Sequence, residues 1–102
     1  MPLSVKSKMS RAYTWTGWDG KPTFDEKKMR YLCWSPETCP KSGTFHLQGF
    51  VYFKNAMSFS AVCKYLKKQF GAAKELNVEV TKGSPEENRT YCGGAHFEER
   101  KD

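Results

Sequence analysis

The segment that decides the fold reads Phe45-His46-Leu47-Gln48-Gly49-Phe50-Val51-Tyr52-Phe53. Aromatic and β-branched residues favour a β-strand, in which successive side chains point to opposite faces of the sheet. The alternation predicts two groups, one with Phe45, Leu47, Val51 and Phe53 and the other with His46, Gln48, Phe50 and Tyr52. His46 and Gln48 are therefore expected to point the same way.

Two further strands are predicted before this segment, over Arg11–Trp18 and Met29–Trp34. Both are rich in aromatic or apolar residues and are followed by residues that interrupt regular structure. Gly20 lies in the turn after the first strand, and Ser35-Pro36 closes the second, leaving a loop up to Gly43. The simplest arrangement is a hairpin between the second and third strands.

A helix is predicted after the third strand, with Ser58 as its N-cap and Gly71 at its end. Its apolar residues recur at helical spacing, at Phe59, Val62, Cys63, Leu66 and Phe70. Leu76–Val80 alternates as a short strand, and the capping box Ser84-Pro85-Glu86-Glu87 starts a second helix. This order predicts an α+β domain with a central, mainly antiparallel β-sheet flanked by helices.

The length and charge of the chain limit its function. Its 102 residues allow one domain, and 17 basic against 11 acidic residues give a net charge of +6, which favours a phosphate-bearing partner. No segment is apolar enough to span a membrane. The four cysteines contain no C-x-x-C pair, as expected of reduced thiols in an intracellular protein. We expect an N-terminal tail over 1–10, the domain over 11–97 and a charged, solvated end over 98–102.

Three side chains form a candidate metal site. Glu37 is expected on the loop that enters the third strand, and His46 and Gln48 share one face of that strand. A carboxylate, an imidazole and an amide oxygen suit Mn²⁺ or Mg²⁺ better than Zn²⁺. The alternative is a polar sheet face on which His46 is hydrogen-bonded to a neighbour. A zinc site that combines Cys33 and Cys39 with His46 or His96 is disfavoured by the irregular spacing of these residues.

Aromatic and basic residues allow two interpretations each. Tyr13, Trp15 and Trp18 either stack on unpaired bases or belong to the core. The helix carries three lysines, Lys64, Lys67 and Lys68. These lysines form either a solvated face or a set of contacts to DNA phosphates.

Three motifs resemble those of a known family. Glu37–Phe50 is similar to the metal-binding motif of replication-initiator endonucleases from small circular single-stranded DNA viruses, the circovirus-like branch of the HUH superfamily. Lys82–Cys92 resembles the nucleophile motif of that family, and Tyr13–Thr16 loosely resembles its Phe-Thr-x-Asn motif. The resemblance extends from about Arg11 to Gly94.

This resemblance implies a domain with an HUH/RRM-like sandwich fold. It also implies that the domain nicks and joins single-stranded DNA at an origin stem-loop and so initiates rolling-circle replication. It implies that Glu37, His46 and Gln48 bind Mn²⁺ or Mg²⁺ and that Tyr91 forms a covalent 5′-phosphotyrosine link. It also implies a set of DNA-binding residues, namely Arg11, Tyr13, Thr14, Trp15, Thr16 and Lys82.

The chain departs from the family at Gly94, where the nucleophile motif usually has a lysine. Lys82, Arg100, Lys101 or the metal ion alone are the candidates to replace that charge. Full-length members continue into a helicase domain, so the resemblance implies that this chain is a fragment and that oligomers would form through the missing part. It also implies that the protein acts in the host nucleus.

A binding module without catalysis is the main alternative. Gln48–Phe53 partly resembles the aromatic octamer of RRM domains, which present stacking residues to single-stranded nucleic acid. Such a module needs neither Glu37 nor Tyr91.

Overall fold

The computed structural model describes residues 9–38, 40–81 and 98–101. This part of the chain forms β1 (Met9–Gly17), β2 (Met29–Thr38), β3 (Phe45–Ser58), α1 (Phe59–Gln69), β4 (Asn77–Val80) and β5 (Glu98–Lys101). The strands form one sheet in the order β4-β1-β3-β2-β5, and all neighbouring strands are antiparallel. The predicted α+β class with an antiparallel sheet is confirmed, as is the hairpin of the second and third strands.

The second strand is longer than predicted. The expected stop at Ser35-Pro36 is wrong, because β2 continues through Thr38 and Pro36 pairs with Leu47 of β3. β5 covers only the earlier part of β2, over Tyr31–Trp34. Within the described ranges no strand pairs with Pro36 on the side away from β3, and a proline is tolerated at such an edge because its missing N–H is not needed there. As a consequence Glu37 lies on a strand and not on the predicted loop.

The charged end of the chain also differs from its prediction. Residues 98–101, expected as a solvated tail, form β5 and pair with β2. A strand at this position covers backbone groups that the edge of β2 would otherwise leave unpaired. At the other end, Met9 and Ser10 belong to β1. The predicted second helix from Ser84 lies outside the described residues.

α1 covers one face of the sheet, which we call the helix face. Its core contains Tyr13, Trp15, Met29, Leu32, Val51, Phe53, Val62, Leu66, Phe70, Leu76 and Val78. The predicted boundaries of the helix are confirmed. The Ser58 hydroxyl accepts a hydrogen bond from the Ala61 N–H at 3.3 Å. Gly71 follows the helix with a φ of +63°, a conformation that glycine adopts without strain.

A hydrogen bond joins α1 to the connection between β1 and β2. The Tyr65 hydroxyl donates to Asp25 Oδ2 at 2.6 Å, and Lys28 Nζ lies 4.9 Å from the centre of the Tyr65 ring. The hydrogen bond from Tyr65 lowers the pKa of Asp25 below its usual value. Burial and the same contact raise the pKa of Tyr65. Tyr65 therefore stays protonated and acts as a structural donor.

The opposite side of the sheet, which we call the His46 face, carries a smaller apolar cluster and a polar row. The cluster contains Ala12, Tyr31, Cys33 and Phe50, with Tyr52 packed against it. The strand pairing places His46 and Gln48 on this face as well, because they alternate with Leu47 and Val51, which pack on the helix face. The predicted division of the third strand into two faces is confirmed.

Candidate metal centre and nucleic-acid interface

Glu37 and His46 form the centre of the candidate site. They are directly opposite each other in the β2–β3 pair. His46 Nε2 lies 3.3 Å from Glu37 Oε2, and the exposed fractions of the two side chains are 18% and 49%. The pair is thus accessible at one end of the sheet. The contact between these two side chains is the hydrogen bond that was considered above as the alternative to a metal site. The same contact also brings together a carboxylate and an imidazole that could both bind a metal ion.

Gln48 continues the same polar row. It is two residues beyond His46 on β3, a distance of about 7 Å along the strand. Its partners in the pairing are Thr16 of β1 and Ser35 of β2. Gln48 and Thr16 are half-buried and Ser35 is buried. The register therefore gathers one carboxylate, one imidazole and several neutral polar groups at the same end of the His46 face.

The donor atoms fit a small divalent cation. Two ligands at right angles around an ion with bonds of about 2.1 Å lie about 3 Å apart. The 3.3 Å between His46 Nε2 and Glu37 Oε2 is close to that separation. No three His, Cys, Asp or Glu side chains gather at one point within the described ranges. A third protein ligand from these ranges would therefore be a neutral oxygen, as predicted for Gln48, and Mn²⁺ or Mg²⁺ suits this set.

The structure corrects the prediction that Tyr13 and Trp15 contact DNA. Both lie on the helix face, with exposed fractions of 0% and 1%, and α1 covers them. Tyr13 donates its hydroxyl to the Met57 carbonyl, and the Trp15 ring packs against Phe70 with 5.0 Å between centroids. A base therefore has no access to either ring.

The remaining predicted DNA contacts differ in position. Thr14 and Thr16 lie on the His46 face, half-buried, opposite Phe50 and Gln48. Arg11 is exposed and lies at the irregularity in the β1–β3 pairing, between Ser10 and Ala12. Lys82 and Tyr91 lie outside the described residues.

Two of the candidates to replace the lysine missing at Gly94 belong to β5. The backbones of Arg100 and Lys101 pair with Leu32 and Tyr31 of β2. Glu37 is five residues beyond Leu32 on β2, about 16 Å along the strand. Which group replaces the missing charge stays a prediction.

The structure gives the positions of one of the two cysteines and of the three helix lysines considered above. Cys33 is buried on the His46 face, and Cys39 lies outside the described residues. The three lysines of α1 border a surface cavity of about 600 Å³ on the far side of the sheet from His46. No helix in the described part of the chain has both the length and the hydropathy needed to span a bilayer.

Comparison with known proteins identifies relatives of this chain. Residues 13–95 match the model of the family described as "Putative viral replication protein". The chain is 38% identical over 69 residues to Para-Rep C2 of Subterranean clover stunt C2 alphasatellite. It is 33% identical over 69 residues to Para-Rep C2 of Milk vetch dwarf C2 alphasatellite and to Para-Rep C1 of Faba bean necrotic yellows C11 alphasatellite.

Each of these matches covers 68% of this chain and 22% of the relative. The chain thus spans about a fifth of the length of these curated relatives. The family model covers a longer part of the chain, residues 13–95. On this match the chain belongs to the family of viral replication proteins.

Proposed function

We propose that this domain nicks and rejoins single-stranded origin DNA through Tyr91, with Mn²⁺ or Mg²⁺ held by Glu37, His46 and Gln48. The observation that carries the proposal is the Glu37–His46 pair, 3.3 Å apart on one sheet face with Gln48 next to it. Membership of a viral replication family supports a role in the initiation of replication. Origin DNA is then the substrate, which agrees with the net charge of +6.

Each residue has a defined part in the reaction. Glu37, His46 and Gln48 hold the ion, which when bound polarises a phosphate oxygen and withdraws charge from phosphorus. The Tyr91 oxygen attacks phosphorus in line, the bond from phosphorus to the 3′ oxygen breaks, and that oxygen takes up a proton as the phenol loses one. The phosphotyrosine ester keeps the bond energy, so the 3′ hydroxyl can attack it later and rejoin the strand.

A covalent-adduct assay tests this function. The full chain is incubated with Mn²⁺ and hairpin oligonucleotides that carry a randomised single-stranded loop and a 3′ label, and the products are separated on a denaturing gel. We expect a labelled protein band that EDTA abolishes and Tyr91→Phe prevents. Tyr52→Phe is the matched control, because Tyr52 shares the His46 face but lies about 20 Å along β3 from His46. Adduct from Tyr91→Phe would overturn the assignment.

The alternative, an RRM-like binding module, makes a different use of the sheet. RRM domains stack bases on exposed aromatic residues at the centre of the sheet. Here Phe50 and Tyr31 are buried, with exposed fractions of 0% and 4%. The burial of these rings disfavours the module. Binding of the oligonucleotides with no covalent band in Mn²⁺ would support it and contradict nicking.

A further inference from the structure

Trp18 stands out among the aromatic residues because of its position. It follows the last paired residue of β1, Gly17, which lies opposite Leu47 of β3. His46 is the residue before Leu47 on β3, so Trp18 lies at the same end of the sheet as the Glu37–His46 pair. The indole is 40% exposed, whereas the rings of Tyr13 and Trp15 on β1 are buried.

Hydrogen bonds fix the turn that carries Trp18. The carboxylate of Asp19 accepts hydrogen bonds from the backbone N–H groups of Ala73 and Lys74, at 3.1 and 3.2 Å. Lys21 N–H donates to the Phe70 carbonyl at 2.8 Å. An aspartate in a turn is a known signal for such bonds, but the sequence does not show which amides it will reach. The exposed indole is therefore held on a turn that is anchored to the α1–β4 connection.

Gly20 makes this anchoring possible. Its φ of +83° lies in the region that favours glycine, and a Cβ there would lie 2.7 Å from the Phe70 carbonyl oxygen. The turn thus approaches the end of α1 more closely than a residue with a side chain would allow. A turn that is already ordered in the free protein loses little entropy when a ligand binds.

We propose that Trp18 stacks on an unpaired base of the DNA strand and holds that strand beside the Glu37–His46 pair. This inference rests on the proposed function for its ligand, single-stranded DNA. An exposed indole at the same end of the sheet as the proposed phosphate-binding site fits a nucleobase, because every base offers a π-face. The sequence allows Tyr13, Trp15 and Trp18 either to stack on bases or to belong to the core. The rings of Tyr13 and Trp15 are buried in the core, and the exposed ring of Trp18 is the one of the three that a base can reach.

Phe45 provides a matched control. It is an aromatic residue at the same end of the sheet and is 57% exposed. It alternates with Leu47, which packs with the helix-face core, so strand alternation assigns Phe45 to the face away from His46. Loss of the Phe45 ring should therefore leave DNA binding almost unchanged.

The test measures binding of a fluorescein-labelled randomised single-stranded oligonucleotide in EDTA, by anisotropy, for the full chain. We expect Trp18→Ala to weaken binding about tenfold, in line with the loss of one stacking contact. Trp18→Phe should stay within about threefold of the wild type, since a smaller ring still stacks. Phe45→Ala should match the wild type. Equal affinity of wild type and Trp18→Ala would overturn the proposal.

Tryptophan emission gives a second measurement that does not depend on the folding of Trp18→Ala. Unlabelled oligonucleotide should quench the emission of the wild type by stacking on Trp18, and Trp18→Phe should bind without this quenching. Quenching of the same size in Trp18→Phe would overturn the proposal. The experiments distinguish a failure of base stacking from a failure of the proposed nicking. Normal adduct formation together with a DNA affinity that does not depend on Trp18 refutes stacking alone. Trp18-dependent binding without adduct refutes nicking alone.

Discussion

The two faces of the sheet are built from alternate residues of the same strands, yet they differ in content. The helix face is a continuous apolar layer closed by α1. The His46 face combines a small apolar cluster with the polar row of Glu37, His46 and Gln48. Because a strand alternates with a period of two, a slip of one residue would exchange the two sets. The main apolar core thus lies on one face and the residues of the proposed site on the other, so substitutions can test stability and the proposed chemistry independently.

The largest effect on stability is expected from Leu66→Ala, which removes a fully buried side chain of α1. The loss of apolar contact and the resulting cavity should lower the free energy of unfolding by about 2–5 kcal/mol. Urea denaturation measures the change. Lys68→Ala, at an exposed position of the same helix, is the control and should change little. A near-neutral Leu66→Ala would show that the helix face is not the stabilising one.

Gly49→Ala tests the close packing of the two layers at β3. An added Cβ would lie 2.3 Å from the Trp15 ring and 2.6 Å from the Cys33 carbonyl oxygen. Because the backbone oxygen cannot easily move, we expect overpacking that destabilises the domain by about 1–3 kcal/mol. Gly17→Ala is the control, since its added methyl would lie 3.6 Å from the nearest atom. Equal stability of the two variants would refute the tight contact.

Tyr65→Phe removes the hydrogen bond to Asp25 and should destabilise the domain by about 1 kcal/mol or less, because solvent screens this pair. The sign follows from the pKa of Asp25, which the contact lowers from 3.8. A depressed carboxyl pKa stabilises the fold above the unfolded value, and this contribution is lost as the pH falls through the folded value. The difference between wild type and Tyr65→Phe, measured by urea denaturation, should therefore be constant at neutral pH and shrink below about pH 4. A difference that grows in acid would contradict this account.

The smallest change in stability is expected on the His46 face. Glu37 and His46 form an accessible hydrogen-bonded pair, so His46→Ala should alter the free energy of unfolding by less than about 1 kcal/mol. Adduct formation, in contrast, should fall about a hundredfold or more, because a bound ion supplies several kcal/mol to the reaction. The denaturing-gel assay and urea denaturation of the same sample check both numbers. A His46→Ala variant that is strongly destabilised but forms adduct at the wild-type level would contradict this assignment of the His46 face.

The sequence predicts the regular parts of the fold well. The alternation of Phe45–Phe53 and the helix between Ser58 and Gly71 depend on local periodicity and capping, which are visible in one segment. The extension of β2 past Pro36 and the strand at 98–101 depend on which strand lies next to which. Such pairing is a tertiary property that neither composition nor spacing reveals.

The same distinction explains the outcome for the site. The shared face of His46 and Gln48 follows from the period of a strand, and the structure confirms it. The burial of Tyr13 and Trp15 is one of the two alternatives that the sequence offers, and only the position of the helix decides between core and base stacking. Glu37 came next to His46 through strand register rather than through the expected loop.

The central claim is that Glu37 and His46 hold a divalent cation, and a titration of Mn²⁺ followed by electron paramagnetic resonance tests it most directly. We expect one bound ion per wild-type chain, and at least tenfold weaker binding in Glu37→Ala and in His46→Ala. Glu79→Gln, which changes a carboxylate on the same face but in β4, should bind as the wild type does. Wild-type affinity in His46→Ala and Glu37→Ala would contradict the account.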